Sequence, residues 1–557
     1  MKKFINLILN ELTKQTKKVS FLVCFIIVVV IAIIFPIFSK FGPMIFNRYD
    51  ERYKSQFEYE YESAITFYNE TKDLQDEESK LASDYAKVMS EAYKFVIDNT
   101  SSDYSDWRYS YAMQYIDNTS TKFITDKVLE GKDGNKIINT IQQKYIYSRA
   151  EFKSFDGYTE DQVRQLNNMA DENIKNARDI IVENNYSLYC AEIIKQCNTQ
   201  KEYLSQQIAD IDSKLAAEQN NEELLYEKRG IELQINIQDE TIRIYQYIID
   251  NSIKYNPESW ERKTINAIEN KLGSAYVQPI TKSMFEEQNY MVMQYKNYDK
   301  YLENQNKQIQ DKKDELRRLW YSLDNKIPSY EYSNSTREGI IGVFSLIGLI
   351  TLMMCIFAGG AVSNEHSTGT IRMLLIRPAK RWKIILSKYL SNIILILIFA
   401  FSVLISISFV TVIINGIKDI TYPVLEIVDN NVVEVNFGLW IISKYLIALL
   451  PVLCIMTLAF ALSTLTKVTA IAVGVSIFAN LTGSTISLLM MNFGMDFVKY
   501  TPAPYLNMSP MLIKTTGLFD EMIAGLNVST AIIVLSVYTA VMLAISVFVF
   551  EKRQIKN

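Results

Sequence analysis

Among side chains that do chemistry, this 557-residue chain holds a single histidine, His366. That leaves no histidine-based metal centre, and neither a Ser–His–Asp triad nor a Cys–His dyad is read in the sequence. Of the five cysteines, Cys24, Cys355 and Cys454 lie in apolar runs, while Cys190 and Cys197 lie in polar sequence. Two Cα atoms seven residues apart on one helix are separated by ~10 Å, beyond the ~7 Å a disulfide can bridge. No disulfide framework is implied. No GxxxxGK[ST] loop occurs, so the chain is not expected to bind ATP by itself. A formal charge of −4 gives no reason to expect a nucleic-acid partner. The chemistry on offer is docking and positioning, and no enzyme activity is expected from the chain alone.

The most concentrated functional signal is SNEHSTGTIRMLLIRPAKRWKIILSKYL, residues 363–390. Gly369-Thr370 predicts a turn and cap; Ile371, Leu374 and Leu375 form an apolar stripe at helical spacing, and Pro378 ends the short helix. Arg372, Arg377, Lys380, Arg381 and Lys383 surround that stripe with positive charge. An interfacial helix held by anionic lipid fits this pattern, and so does a docking helix for a second protein. At the other end of the sequence, Phe4, Ile5, Ile8, Leu9 and Leu12 put one apolar face on residues 1–18, which read as an amphipathic helix lying at an interface.

The elements that must position these segments are membrane spans. Apolar runs long enough to cross a bilayer, about 20 residues each, fall at 20–39, 339–362, 384–414, 439–462, 468–491 and 529–550. The first is read as an uncleaved anchor, because FPIFSKFGP offers no small-residue cleavage site. Residues 1–19 carry five Lys and one Glu, and residues 363–388 carry six basic groups and one Glu. Between them, residues 41–336 hold 37 Lys/Arg against 51 Asp/Glu, a net of −14. By the positive-inside rule both termini are expected in the cytoplasm of a multi-pass plasma-membrane protein of bacterial type, with the large polar segment extracellular. The cores of the six spans, so bounded, hold no Asp, Glu, Arg or His, which disfavours proton-coupled transport. Lys388 and Lys444 near span ends read as snorkelling, and Trp440 as an interface anchor.

The expected fold class is all-α: a polytopic membrane protein with an extracytoplasmic helical domain inserted between its first two spans. The domains are 1–18, the interfacial helix; 19–40, span one; 41–336, the outer domain; and 337–557, spans two to six with a coupling helix at 363–383. Within the outer domain, residues 199–252 read as a coiled-coil-like hairpin. Its first arm is striped by Leu204, Ile208, Ile211 and Leu215, and its second by Ile231, Ile235, Ile242, Tyr245 and Ile249, interrupted at Lys228 and Gln238. IELQINI (231–237) alternates like a strand, but its flanks favour helix. Thr159–Gln162 and Ser335–Glu338 have capping-box spacing, and Asn256-Pro257 reads as a helix start. Twenty-nine of the 35 tyrosines lie in this domain, where rings are expected to pack inward with hydroxyls wet.

In residues 363–390, Glu-x-x-x-Gly-Thr is followed by a Leu pair, then Pro, a basic residue and Lys. This arrangement resembles the segment between spans two and three of type-2 ABC exporter permeases. The matching residues are Glu365, Gly369, Thr370, Leu374, Leu375, Pro378, Arg381 and Lys388. The resemblance implies that 363–383, with Arg372 and Arg377, is the coupling helix that docks on an ABC ATPase subunit. It also implies that Mg-ATP is bound by that partner, with no cofactor in this chain. The helix 1–18 is similar to the family's N-terminal interfacial helix, and 492–528 looks like its outer gate region. A second permease chain, identical or not, is implied as well. Ala470, Gly474, Ala479 and Gly483, with Ala358-Gly359-Gly360, are small residues that suit either internal helix packing or that dimer seam. Asn392, Asn480 and Thr482 are expected in hydrogen bonds between helices. The large insert has no counterpart in the motif.

The function these features lead to is a permease subunit of an ATP-driven exporter, moving an amphipathic peptide, drug or lipid-linked molecule and conferring resistance. The alternative is an ATPase-driven mechanical or sensory device acting through the outer domain on cell-envelope partners. A receptor or secretion-apparatus protein with the membrane fold but no ATPase is a third reading.

Overall fold

The computed structural model describes residues 2–46, 56–100, 106–145, 154–218, 221–288, 291–292, 295, 297–332, 335–370, 380–493, 495–513 and 526–552. These residues are almost wholly helical, with one two-stranded hairpin among them. Six helical stretches are long and apolar enough to cross a membrane: Val19–Gly42, Thr336–Ser367, Arg381–Asn415, Phe437–Thr466, Thr469–Met491 and Val528–Lys552. They are called spans one to six below. Their bounds lie close to those read from apolar runs, except that the second reaches further at both ends and takes in Arg337, Glu338, Glu365 and His366.

The chain forms two compact units. One consists of Met1–Pro43, Ile208–Ile237 and Ser259–Asn557, the other of Met44–Gln207 and Gln238–Glu258. The polar sequence between spans one and two is therefore shared between them, and residues after Ser259 belong with the spans.

In the unit that holds the spans, Ile350, Met354, Phe399, Val403 and Phe460 are fully buried in one apolar core. Phe21 of span one packs against Phe357 of span two and Phe399 of span three, at ring-centroid distances of 6.0 and 5.7 Å. Span three leaves Ile405, Phe409 and Ile413 uncovered, as a lipid-facing surface requires. Span four is two helices, Phe437–Ala448 and Leu450–Thr466, parted at Leu449 because Pro451 cannot donate to the preceding turn.

Span two opens on the cap that its sequence announces. The Ser335 hydroxyl accepts from the Glu338 amide at 3.2 Å, and the Thr336 amide donates to Asp419 at 2.9 Å. Between spans three and four lies a hairpin absent from the helical reading: β1 (Val424–Val428) pairs antiparallel with β2 (Asn431–Val435). Asp429 and Asn430 make its two-residue turn with φ of 49° and 63°, the left-handed pair a tight hairpin needs.

The helix Tyr298–Asp324 docks on this hairpin. Arg317 donates to the Asn430 carbonyl at 2.6 Å, and the Tyr321 hydroxyl donates to Glu434 at 3.0 Å. Below that contact Arg318 grips Glu331 through two bonds of 3.1 and 2.7 Å. Helix Trp260–Ala275 lies alongside, tied by Lys271 to Glu315 at 2.9 Å. That helix starts at Trp260 with Ser259 as its cap, and Pro257 sits in the preceding turn instead of at the first helical position.

The other unit packs Gln56–Thr71, Glu77–Asn99, Tyr109–Leu129, Gly134–Lys144 and Glu160–Glu183 around Phe57, Tyr85, Met89, Ile116, Ile141 and Ile181. Thr159 and Gln162 form the full capping box. Tyrosine rings do turn inward, as at Tyr85 and Tyr145, but the Tyr85 hydroxyl is buried on Ser120 at 2.9 Å and is not wet.

The hairpin of helices Tyr186–Ala217 and Glu222–Asp250 forms as expected, and residues 231–237 are helical. Leu204, Ile211 and Ile231 are buried in its seam, but the second arm then buries Ile244 and Ile248, leaving Ile242, Tyr245 and Ile249 at its flanks. Lys228, an interruption in the stripe, is absorbed by an ion pair to Asp212 at 2.6 Å.

Candidate coupling site

The N-terminal helix Lys2–Thr16 lies against span three. Its buried positions are Glu11 and Gln15, while Phe4, Ile8 and Leu12 are half-buried and Ile5 and Leu9 stay about half exposed. The apolar face therefore straddles the contact, and a polar pair one turn apart occupies its centre.

Glu11 meets Lys388 of span three at 2.8 Å. Lys388 also pairs with Glu365 of span two at 2.6 Å, and Lys14 reaches the same Glu365 oxygen at 2.7 Å. Gln15 donates to Ser391 at 3.4 Å. Lys388, Glu365 and Glu11 are only 2, 5 and 6% exposed. Lys388 does not snorkel; it is buried as the centre of a charge-balanced node that joins three chain segments. Burial, followed by repulsion from Lys14 and Lys388, lowers the pKa of neighbouring Lys18. Among the described residues, neither the second Glu365 oxygen nor the Gln15 side-chain oxygen has a hydrogen-bond partner.

On its opposite side the same end of span two is fixed to spans four and five. The Val362 and Ser363 amides donate to Ser463 at 3.3 and 3.0 Å, and Ser363 shares a 2.7 Å bond with Thr469. The Thr469 hydroxyl also lies 2.8 Å from the side-chain oxygen of Asn364. Gly359 must be glycine for this approach, since a Cβ there would sit 2.6 Å from Val473.

The chain then leaves the short helix Ser363–Ser367 through Gly369, at φ +70°, with Thr368 and Thr370 sharing a 2.9 Å bond. The expected turn at Gly369-Thr370 is present. Arg372, Leu374, Leu375, Arg377 and Pro378 lie outside the described residues, so the expected apolar stripe falls there too. Arg381 opens span three and donates to the Glu551 carbonyl at 3.4 Å. Of the residues singled out from sequence, the fold thus brings Glu365 and Lys388 together with the helix that carries Ile8 and Leu12. Glu11, Lys14 and Gln15 were missed.

The small residues divide. Gly359 and Gly483 serve packing within the chain, the latter beside Leu506, and Ala479 is half-buried. Ala470 and Gly474 are uncovered, and nothing lies within 4 Å of a Cβ placed at Gly474. Asn392 and Thr482 do not bond between helices: their side chains donate to the Lys388 and Phe478 carbonyls of their own helices, at 2.9 Å each. Lys444 pairs with Glu426 at 2.8 Å, and Trp440, buried, donates to the same carboxylate at 2.7 Å. Both belong to the hairpin contact, not to a free interface.

At the start of span two Arg337 is fully buried, stacked over Tyr422 at 5.6 Å and donating to the Pro423 carbonyl at 2.8 Å and to the Pro328 carbonyl. It pins the chain entering the membrane to the strand that leaves span three.

Residues 315–556 match a family described as a protein of unknown function, DUF2705. The chain is similar to the uncharacterized protein YhcI of Bacillus subtilis (strain 168), 27% identical over 245 residues, 42% of this chain and 74% of that protein. No solved structure matches. The family match takes in Glu365 and Lys388 but not Glu11.

Proposed function

We propose that this chain is the membrane subunit of an ATP-driven exporter, powered by a separate ATPase chain that binds Mg-ATP. The node of Glu11, Lys14, Glu365 and Lys388 carries the reading. A segment that receives a push from a soluble partner must be stiffly joined to the spans it moves. Here the residues immediately before 368–380 are held on one side by two buried ion pairs and on the other by Ser463 and Thr469. Displacement of that segment is then transmitted to spans two, three, four and five together. The basic N-terminal helix and basic 363–388 segment support placing this end in the cytoplasm of a bacterial plasma membrane. The uncovered Ala470/Gly474 face supports a second permease chain at span five. An amphipathic peptide, drug or lipid-linked molecule remains the substrate class of choice, since the spans between their ends offer apolar surface.

A second reading, a device that passes ATPase motion outward, is favoured by the clamp of Arg317, Arg318 and Tyr321. It joins helix Tyr298–Asp324 to the hairpin and to the entry of span two.

Both readings require a nucleotide-binding partner. Detergent-extracted protein is expected to bring down an ATPase chain, and replacing Leu374 and Leu375 with Asp is expected to release it. Charge buried without a partner in an apolar socket costs at least several kcal/mol, enough to dissociate the complex. Absence of any ATPase from the wild-type preparation would sink both readings and leave a receptor or secretion component.

A further inference from the structure

The unit that contains residues 56–145 holds a cavity of about 70 Å³ lined by aromatic rings, methionines and two carboxyl groups. Its floor is Tyr85, locked to Ser120 at 2.9 Å and packed edge-on against Tyr145, ring centroids 6.1 Å apart. Phe57 and Tyr93 add further rings, and Met89 and Met113 complete the apolar wall. Glu60, only 4% exposed, enters this lining and bears electrostatically on the Tyr93 and Tyr145 phenols. Among the described residues the buried Tyr145 hydroxyl has no partner in hydrogen-bonding geometry, with Ser63 close by. Asp117 stands at the rim. Burial desolvates its carboxylate and raises its pKa.

A cavity of this size accommodates several waters at 10–15 Å³ each, or a head group of a few heavy atoms. Hard metal ions select oxygen cages, and rings and thioethers are poor ligands for them. Organic ammonium groups select the faces of aromatic rings with a carboxylate nearby. We infer that the cavity binds the head group of an organic cation, a quaternary or protonated amine, entering past Asp117 and seated on the rings of Tyr93, Tyr85 and Tyr145. This goes beyond the transport reading and does not depend on it, because the binding is a property of the unit alone.

The full chain, purified in detergent, is titrated calorimetrically with tetramethylammonium and, as the uncharged counterpart of similar shape, with tert-butanol. Saturable one-to-one binding of the cation and none of the alcohol is expected. Asp117→Asn, a change that keeps the side chain's shape and removes its charge, should weaken the cation by about tenfold, and Tyr93→Leu by a comparable factor. Helical content by circular dichroism checks that each variant is folded. No saturable binding to the wild type, equal binding of the alcohol, or wild-type affinity in both folded variants would each overturn the inference. Recovery of the ATPase partner is read separately in the same preparations, so loss of one result leaves the other standing.

Discussion

Lys388 is a buried ammonium held by two carboxylates, and its contribution follows from what its removal would leave behind. Lys388→Met strands Glu11 and Glu365 in a dry contact with only half-exposed Lys14 to compensate. The expected cost is about 3–5 kcal/mol, as for other buried pairs that lose one partner. Lys14→Met removes only a half-exposed partner and leaves Glu365 paired with Lys388, so it should cost less than about 1 kcal/mol. Thermal unfolding in detergent distinguishes them; equal shifts for the two variants would mean that the node is not organised around Lys388. A double variant, Lys388→Met with Glu11→Gln, should recover part of the loss, because the two changes share one interaction. The sequence made Lys388 visible as a basic residue near a span end, where snorkelling is the ordinary expectation. Its burial was illegible, since its partner Glu11 lies 377 residues away and sits beside, not within, the apolar face of its helix. Helical periodicity reports which face is apolar; it does not report that a charge at the edge of that face will be met by an opposite charge from a distant span.

Among elements, the spans were legible to within a few residues, because length and hydropathy are local properties. The hairpin between spans three and four was not, although its signal is plain in retrospect. Val424–Val428 and Asn431–Val435 are rich in β-branched residues and flank Asp-Asn, a pair that tolerates the left-handed conformation. Asn430 at φ 63° gives a direct test of the turn. Asn430→Gly removes the side-chain penalty and should be neutral or slightly stabilising, whereas Asn430→Val should cost about 1–2 kcal/mol. Both keep the main-chain carbonyl that receives Arg317, so a difference between them in melting temperature reports the turn and not that contact. Indistinguishable variants would argue against a two-residue turn at this position. The helical hairpin stands between these cases: its arms were legible, and the stripe of the second arm drifted because Lys228 and Gln238 break the periodicity on which the register depends.

At the scale of the molecule, charge segregation gave the division into apolar spans and a polar insert but could not say where the polar sequence changes allegiance. It changes at Ile208, again at Gln238, and for the last time at Ser259. The core of Phe57, Tyr85, Ile116, Ile141 and Ile181 closes entirely before that residue. The helices Trp260–Ala275 and Tyr298–Asp324 instead spend their charged side chains on one another, on Glu331 and on the hairpin: Lys271 on Glu315, Arg318 on Glu331, Arg317 on Asn430. A fragment spanning 47–330 would therefore carry these two helices without the hairpin to which Arg317 and Tyr321 bond. A fragment of 56–258 keeps its whole core and its own caps at Asp76, Asp133 and Thr159. The shorter fragment is expected to be monomeric, helical and cooperative in urea unfolding, and the longer one to aggregate or to lose residues beyond 258 to limited proteolysis. The opposite result, a stable 47–330 and an unfolded 56–258, would place the boundary near residue 330. The helices from 260 to 324 would then fold with residues 56–258 and not with the spans.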